Sequence, residues 1–240
     1  MIPIGDYAGE RRHFPFVNYT LIAINVIVFL FEITMPEARL SQFFLQWGVV
    51  PREIVQGADA SPTIGLPIYV TLFTSIFIHG GWLHLGGNML YLWVFGDNVE
   101  SALGPVKYLL FYLFCGVAAT FAQIALNTNS LLPTVGASGA IAGVMGAYLV
   151  MFPGATVRTV IFIVVFATVT YLPAALVIGV WFLLQLASGV ASFGARTQET
   201  GGVAVWAHIG GLIVGAILGR FLRRRDYHTA APTTYRGYGR

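Results

Sequence analysis

Four polar residues lie in or at the start of otherwise apolar stretches of this chain: His84, Asn88, Ser138 and His208. Polar side chains are costly in an apolar medium, so each of the four is a candidate for function. A serine hydroxyl becomes an effective nucleophile when a neighbouring base, such as histidine, accepts its proton. His84 and Asn88 are four residues apart and would share one face of a helix. Both side chains can donate hydrogen bonds, which suits stabilisation of a developing oxyanion.

The composition indicates that these residues are embedded in a membrane protein. The 240 residues are 57% hydrophobic and only 10% charged, whereas a soluble domain carries about 25% charged residues. The net charge of +3 comes largely from clusters at the edges of apolar runs, so it does not indicate a nucleic-acid partner. Cys115 is the only cysteine, which excludes an intramolecular disulfide and a cysteine-rich metal site.

Six apolar runs are long enough, or nearly so, for the roughly 20 residues that a transmembrane helix needs. They lie at about 17–34, 82–99, 105–126, 138–153, 173–192 and 204–221. A further apolar segment at 157–170 is only about 14 residues long, which suits an interfacial or re-entrant segment. Basic residues before the first run resemble a signal peptide, but no small-residue cleavage site follows, so a retained first span is favoured.

The distribution of arginines supports an even number of spans. Arg11 and Arg12 precede the first run, and Arg220 and residues 223–225 close the last one. Basic residues favour the cytoplasmic side, so both termini are expected there, and a seventh span would place the last cluster outside.

We therefore predict an all-α polytopic bundle of six transmembrane helices in the cell (inner) membrane. The long connection 35–81 is rich in aromatic and aliphatic residues and is expected to lie partly in the membrane interface. The predicted parts are a cytoplasmic N-terminal segment at 1–16, a six-span domain at 17–222 and a disordered cytoplasmic tail at 223–240.

With six spans, the four polar residues fall in one layer near the outer face. Small residues recur at intervals of four in the fourth run (Gly139, Gly143) and in the sixth (Gly211, Gly215, Gly219). Such spacing lets helix backbones approach closely in membranes, which would bring His208 to Ser138. Alternatively, the glycines serve packing alone, and the polar residues make interhelical hydrogen bonds or play a structural part.

Two other classes of protein also use polar residues inside a membrane. A transporter or channel would spread them along a path, whereas here they cluster at one depth. A haem or metal protein could use His84 and His208, but it would leave Ser138 and Asn88 without a role. The chain has no His-Glu-x-x-His motif, which argues against a metalloprotease.

Three segments together resemble the rhomboid intramembrane serine proteases, specifically the prokaryotic six-span type. They are "HGGWLHLGGNMLYLWVFGDNVESALGPVKYLLFYLFCG" (79–116), "GASGAIAGVMGAY" (136–148) and "AHIGGLIVGAILG" (207–219). They occur in the family's order and spacing, over roughly residues 15–222. The resemblance implies an endopeptidase that cleaves transmembrane protein substrates in or near their membrane segments. It implies no metal, other cofactor or nucleic acid, and leaves the oligomeric state open.

Carried over to this chain, the resemblance makes Ser138 the nucleophile and His208 its general base. His84, Asn88 and the Ser138 backbone N–H would stabilise the oxyanion. No acidic residue lies near His208 in the sequence, so a Ser-His dyad acting through an acyl-enzyme is expected rather than a triad. A silent relative that only binds its partners is the remaining alternative.

Further residues match supporting positions of the family. His79 matches an additional histidine, and Gly136 and Gly139 flank Ser138 in the nucleophile motif. Glu100 matches an acidic residue that fixes the turn after the second span, although a solvated interface charge is an alternative. Many members carry Trp-Arg in the first loop, where this chain has Val70 and Thr71. That difference concerns the seating of the loop and not the dyad.

Overall fold

The structure is a computed structural model that describes residues 1–8, 14–58, 67–163, 166–194 and 204–222. The tail expected to be disordered (223–240) lies outside the described residues. The helices are α1 Phe16–Glu32, α2 Glu37–Trp47, α3 Pro51–Gln56, α4 Thr71–Thr74, α5 Trp82–Leu103, α6 Pro105–Leu126, α7 Ser138–Met151, α8 Ala174–Gly194 and α9 Val205–Leu222. The strands are β1 Ile2–Tyr7, β2 Thr156–Ile163 and β3 Phe166–Pro173.

The six apolar runs coincide with α1, α5, α6, α7, α8 and α9, so the expectation of a membrane helix bundle is confirmed. By length and composition, α6 and α9 can each cross a membrane. A third candidate is α5 taken with the segment Ile68–Phe77, from which it is bent by 80°. The shorter apolar helical segments are α1, α7 and the part Ala174–Leu184 of α8. The count of six crossings stays a prediction.

The strictly all-α fold class is corrected by a three-stranded antiparallel sheet. Residues 157–170, expected to form an interfacial or re-entrant segment, belong to a hairpin in which Thr156 pairs with Pro173 and Ile163 with Phe166. Val, Ile and Thr dominate this stretch, and β-branched residues favour strands. The N-terminal segment adds β1 to the other edge of β2 and so forms part of this sheet.

Helix α7 lies at the centre of the bundle and is almost entirely buried. It is apolar on all sides, which is typical of a helix surrounded by other helices. Helix α9 packs closely against it because glycines face the neighbouring backbone. A β-carbon on Gly211 would overlap the carbonyl oxygen of Gly139, and one on Gly215 would overlap that of Gly143. The predicted close approach of these two helices is therefore confirmed.

The chain passes from α5 to α6 through one residue. Gly104 has a φ of +83°, a left-handed conformation that strains residues with a β-carbon. Pro105 follows at the first position of α6, where its missing N–H is not needed.

The N-terminal strand is joined to the bundle by a carboxylate. Asp6 accepts hydrogen bonds from Asn98 Nδ2 (2.8 Å), on α5, and from the Tyr148 hydroxyl, on α7. Both partners lie near the C-terminal ends of their helices, so the sheet sits at the end of the bundle opposite to Ser138.

The first loop lacks the Trp-Arg pair, and other hydrogen bonds fix it to its neighbours. The Thr74 hydroxyl donates to the Trp47 carbonyl at 2.7 Å, which joins α4 to α2. Val49 and Thr134 exchange backbone hydrogen bonds of 3.0 and 2.7 Å, which tie the loop to the segment leading into α7. Helix α2 has no buried residue, in keeping with an interfacial position, although its depth in the membrane stays a prediction.

Candidate active site

Ser138 is the first residue of α7, and Gly136 just before it shapes the approach of the chain. Gly136 has a φ of +127°, in the region that favours glycine. Its N–H donates to the Ser75 carbonyl at 2.9 Å. A β-carbon on Gly136 would lie 2.7 Å from His84 Nε2 and 3.7 Å from Ser138 Oγ. Glycine is therefore required here both for the backbone turn and to leave room for the His84 ring.

The Ser138 hydroxyl and the His208 imidazole are in direct contact. His208 Nε2 lies 2.7 Å from Ser138 Oγ. His208 comes from the first turn of α9 and is 2% exposed, and its ring lies 5.3 Å from the ring of Trp181 on α8, centroid to centroid. Ser138 itself is half-buried. A serine hydroxyl hydrogen-bonded to an imidazole nitrogen is the arrangement of an activated nucleophile and its base.

In the described ranges, no carboxylate hydrogen-bonds to the second ring nitrogen of His208. Among the described residues, Nδ1 is buried and has no hydrogen-bond partner. In a Ser-His-Asp triad an aspartate accepts a hydrogen bond from this nitrogen and fixes the ring. Here the packing of the ring, with Trp181 beside it, constrains its orientation instead.

His84 and Asn88 lie one turn apart on α5 and provide two hydrogen-bond donors. His84 Nδ1 accepts a hydrogen bond from the Gly80 N–H at 3.3 Å. A neutral imidazole that accepts at Nδ1 carries its proton at Nε2, and that atom faces Gly136. Asn88 is 8% exposed, and its Nδ2 has no partner among the described residues. Buried donors without acceptors are rare and need an explanation.

His79 lies beside His84, as the resemblance implied for a supporting residue. The two rings are 5.0 Å apart between centroids, and His79 is 1% exposed. Its backbone N–H lies 3.3 Å from each carboxylate oxygen of Glu32, at the end of α1. Sequence reasoning missed Glu32. The available signal was an acidic residue within an apolar run, which is costly unless it has a partner.

Glu100 and Gly139 make contacts between helices of the bundle. Glu100 is fully buried, so the alternative of a solvated charge is wrong. Its carboxylate accepts from the backbone N–H groups of Val17 (3.2 Å) and Asn18 (2.7 Å), at the start of α1. It thereby satisfies donors that a helix N-terminus leaves unpaired. A β-carbon on Gly139 would lie 2.6 Å from the Ala119 side chain, so Gly139 brings α7 close to α6.

No group of three or more His, Cys, Asp or Glu side chains that could hold a metal ion occurs in the part of the chain that the structure describes. The structure brings the Ser138 hydroxyl and the imidazoles of His208 and His84 together near Gly136, and Asn88 lies one turn further along α5.

Comparison with known proteins identifies the family of this chain. The Rhomboid domain family matches residues 68–225, well over half of the chain. The chain is 27% identical over 213 residues to "Rhomboid protein 1, mitochondrial" of Saccharomyces cerevisiae, which covers 86% of the chain and 53% of the relative. It is 32% identical over 136 residues to "Rhomboid protease GluP" of Bacillus subtilis, covering 56% of the chain and 24% of that protein. It is 29% identical over 140 residues to "Putative rhomboid protease YdcA" of the same organism, covering 58% of the chain and 64% of the relative.

The chain belongs to the rhomboid family. The resemblance inferred from the three motifs is therefore confirmed, and the family together with the apolar helices indicates a multi-pass membrane protein. The chain spans about half of the length of the yeast relative and about a quarter of that of GluP.

Proposed function

We propose that this protein is an intramembrane serine endopeptidase that cleaves peptide bonds in or near the transmembrane segments of other proteins. The observation that carries the proposal is the 2.7 Å contact between His208 Nε2 and Ser138 Oγ at the start of a buried helix. Membership of the rhomboid family, with relatives whose names contain "protease", supports it.

In the proposed reaction, Ser138 Oγ attacks the carbonyl carbon of the scissile bond while His208 Nε2 takes its proton. The tetrahedral intermediate collapses to an acyl-enzyme as the protonated His208 gives its proton to the leaving amine. Water then attacks the ester, again with His208 as general base, and Ser138 is released. The absence of a hydrogen-bond partner at His208 Nδ1, among the described residues, supports a dyad.

The oxyanion of the intermediate would be held by His84 Nε2–H, Asn88 Nδ2–H and the Ser138 backbone N–H. Donors placed in advance, and unpaired in the resting state, cost no reorganisation when the charge develops. The unpaired amide of Asn88 and the Nε2 proton assigned to His84 support these roles. His79 and Glu32 would support these donors by fixing the segment that leads into α5.

The substrate would be a transmembrane protein in the bilayer, with its helix locally unwound so that the peptide bond is accessible. Both termini of the enzyme would face the cytoplasm, with the site near the outer face of the cell membrane. Polar groups at that depth imply access for water, because hydrocarbon leaves them unsatisfied.

Labelling with a fluorophosphonate in detergent tests the proposal. Wild type is expected to become labelled and to cleave a reporter transmembrane substrate, whereas Ser138→Ala should do neither. Ser130→Ala is the matched control, because Ser130 lies in the connection before α7 and hydrogen-bonds locally to the Leu132 N–H at 3.2 Å. A wild-type protein that is neither labelled nor active on any reporter substrate would refute the protease and favour the silent relative.

A further inference from the structure

The β2–β3 hairpin has an unusual distribution of exposed apolar residues. Paired residues of an antiparallel ladder share a face and successive residues alternate, so Phe162 and Ala167 lie on one face and Phe166 on the other. Phe162 is 60% exposed and Phe166 is 75% exposed. The far part of the hairpin, which we call the hairpin tip (residues 160–163 and 166–169), therefore has an uncovered aromatic residue on each face.

At the base of the hairpin, side chains on one face are buried. Val157 and Thr159, on the face that Phe166 shares, are both 0% exposed because they pack against the protein. A strand rises about 3.3 Å per residue, so the tip reaches about 13 Å beyond Thr159. The tip therefore projects past the edge of the bundle.

The charge distribution argues against water as the surroundings of the tip. No charged residue occurs between Arg158 and Arg196 in the sequence. A hairpin in water normally carries polar residues on its open face. Here the face opposite to Val157 and Thr159 carries Phe162 and Val169, which is 55% exposed, instead.

The position of the hairpin in the fold favours lipid as its partner. Pro173 ends β3, and Ala174 begins the apolar helix α8 without a linker. Leu176, in the first turn of α8, is 49% exposed and continues the apolar surface along the chain. Arg158 and Arg220 are both exposed at this end of the bundle, and exposed arginines there favour a position near lipid headgroups.

We propose that the hairpin tip inserts into the lipid leaflet bordering this end of the bundle, with its aromatic side chains among the upper acyl chains. The insertion must be shallow, because the free edge of β3 carries backbone N–H and C=O groups that need water or headgroups as partners. Interfacial segments typically reach about 5–10 Å into the headgroup–acyl boundary, which a tip of this length allows. The hairpin is thus a lateral anchor on the lipid surface, separate from the site at Ser138.

Fluorescence quenching in lipid vesicles tests this insertion. The background is Cys115→Ala, because Cys115 is the only native cysteine. Phe166→Cys and Val169→Cys, labelled separately with the environment-sensitive dye NBD, report on the tip. Arg158→Cys is the matched control, because it lies on the same hairpin and is exposed at the base. Each protein is reconstituted in phosphatidylcholine–phosphatidylglycerol vesicles, with nitroxide lipids or aqueous iodide as quencher.

The tip labels are expected to emit at shorter wavelength than the base label. They should be quenched by a nitroxide near the headgroup and protected from iodide, with the reverse at position 158. Equal quenching by iodide at tip and base would overturn the proposal, because the tip would then lie in water. Protection from both quenchers that is lost on dilution with lipid would also overturn it, in favour of a second copy of this chain covering the tip.

Discussion

The contact between Ser138 and His208 depends on a glycine two helical turns away, and Gly215→Ala tests this dependence. A β-carbon at position 215 would lie only 2.5 Å from the Cα and carbonyl carbon of Gly143, and closer still to its oxygen. These neighbours are backbone atoms of a buried helix, so the overlap cannot be relieved by rotation of a side chain. The two helices must therefore separate by at least about 1 Å, because carbon atoms in ordinary contact are about 3.5–4.0 Å apart.

The displacement is expected to reach the dyad. His208 precedes Gly215 by seven residues, close to two full turns of an α-helix, so the two residues lie on nearly the same face of α9. Moving α9 away by about 1 Å would stretch the 2.7 Å contact beyond the range of a hydrogen bond. A misplacement of about 1 Å can cost 10²-fold in rate.

We therefore expect Gly215→Ala to lose about 10²-fold in kcat/KM on a reporter transmembrane substrate. The rate of fluorophosphonate labelling should fall in parallel, because labelling needs the same activated hydroxyl. Gly179→Ala on α8 is the matched control, since a β-carbon there would meet no atom within 4 Å. Thermal unfolding in detergent establishes that both variants are folded.

Two results would refute the reasoning. A folded Gly215→Ala variant with the activity of Gly179→Ala would show that the dyad does not depend on the close helix contact. Reduced cleavage with an unchanged labelling rate would place the defect in substrate access and not between His208 and Ser138.

Three further predictions follow from the same geometry. Asn88→Ala should lower kcat by about 10²–10³-fold if its amide binds the oxyanion, and unchanged kcat with a raised KM would contradict that role. Glu100→Ala should destabilise the protein by about 1–3 kcal/mol, because it leaves buried N–H groups at the start of α1 unpaired, and the exposed Glu37→Ala is the control in denaturant unfolding. A reporter fused after residue 240 should be active in the cytoplasm, and a periplasmic signal would contradict six crossings.

The approach of His208 to Ser138 could be predicted from glycine spacing in the fourth and sixth apolar runs and from the shared depth of the two residues, and the family resemblance then assigned their roles. Glycines at intervals of four mark the faces along which two helices can approach, and each catalytic candidate lies on or beside such a row. His84 and Asn88 could be assigned to one face by the same periodicity.

The role of Glu32 could not be predicted because its partner is distant in sequence. The carboxylate meets the backbone N–H of His79 only after α1 packs against α5, and neither residue carries a pattern that reveals this pairing. The hydrogen bonds of Glu100 could not be predicted either. The resemblance assigned Glu100 to the turn after α5, whereas its carboxylate accepts hydrogen bonds from the start of α1.

The sheet was missed for another reason. The apolar length of residues 157–170 indicates a short membrane segment, whereas their β-branched content is typical of strands, and two strands pair in the structure. The pairing of β1 with β2 joins residues more than 140 positions apart, which no local pattern indicates.

The carboxylate of Asp6 gives the first few residues an importance that their position would not suggest. It joins α5, which carries His84, to α7, which begins at Ser138, at the ends far from both residues. Removing the first eight residues would take away both this clasp and the outer strand of the sheet. Variants made for functional assays should therefore retain residues 1–8 and carry affinity tags after residue 240.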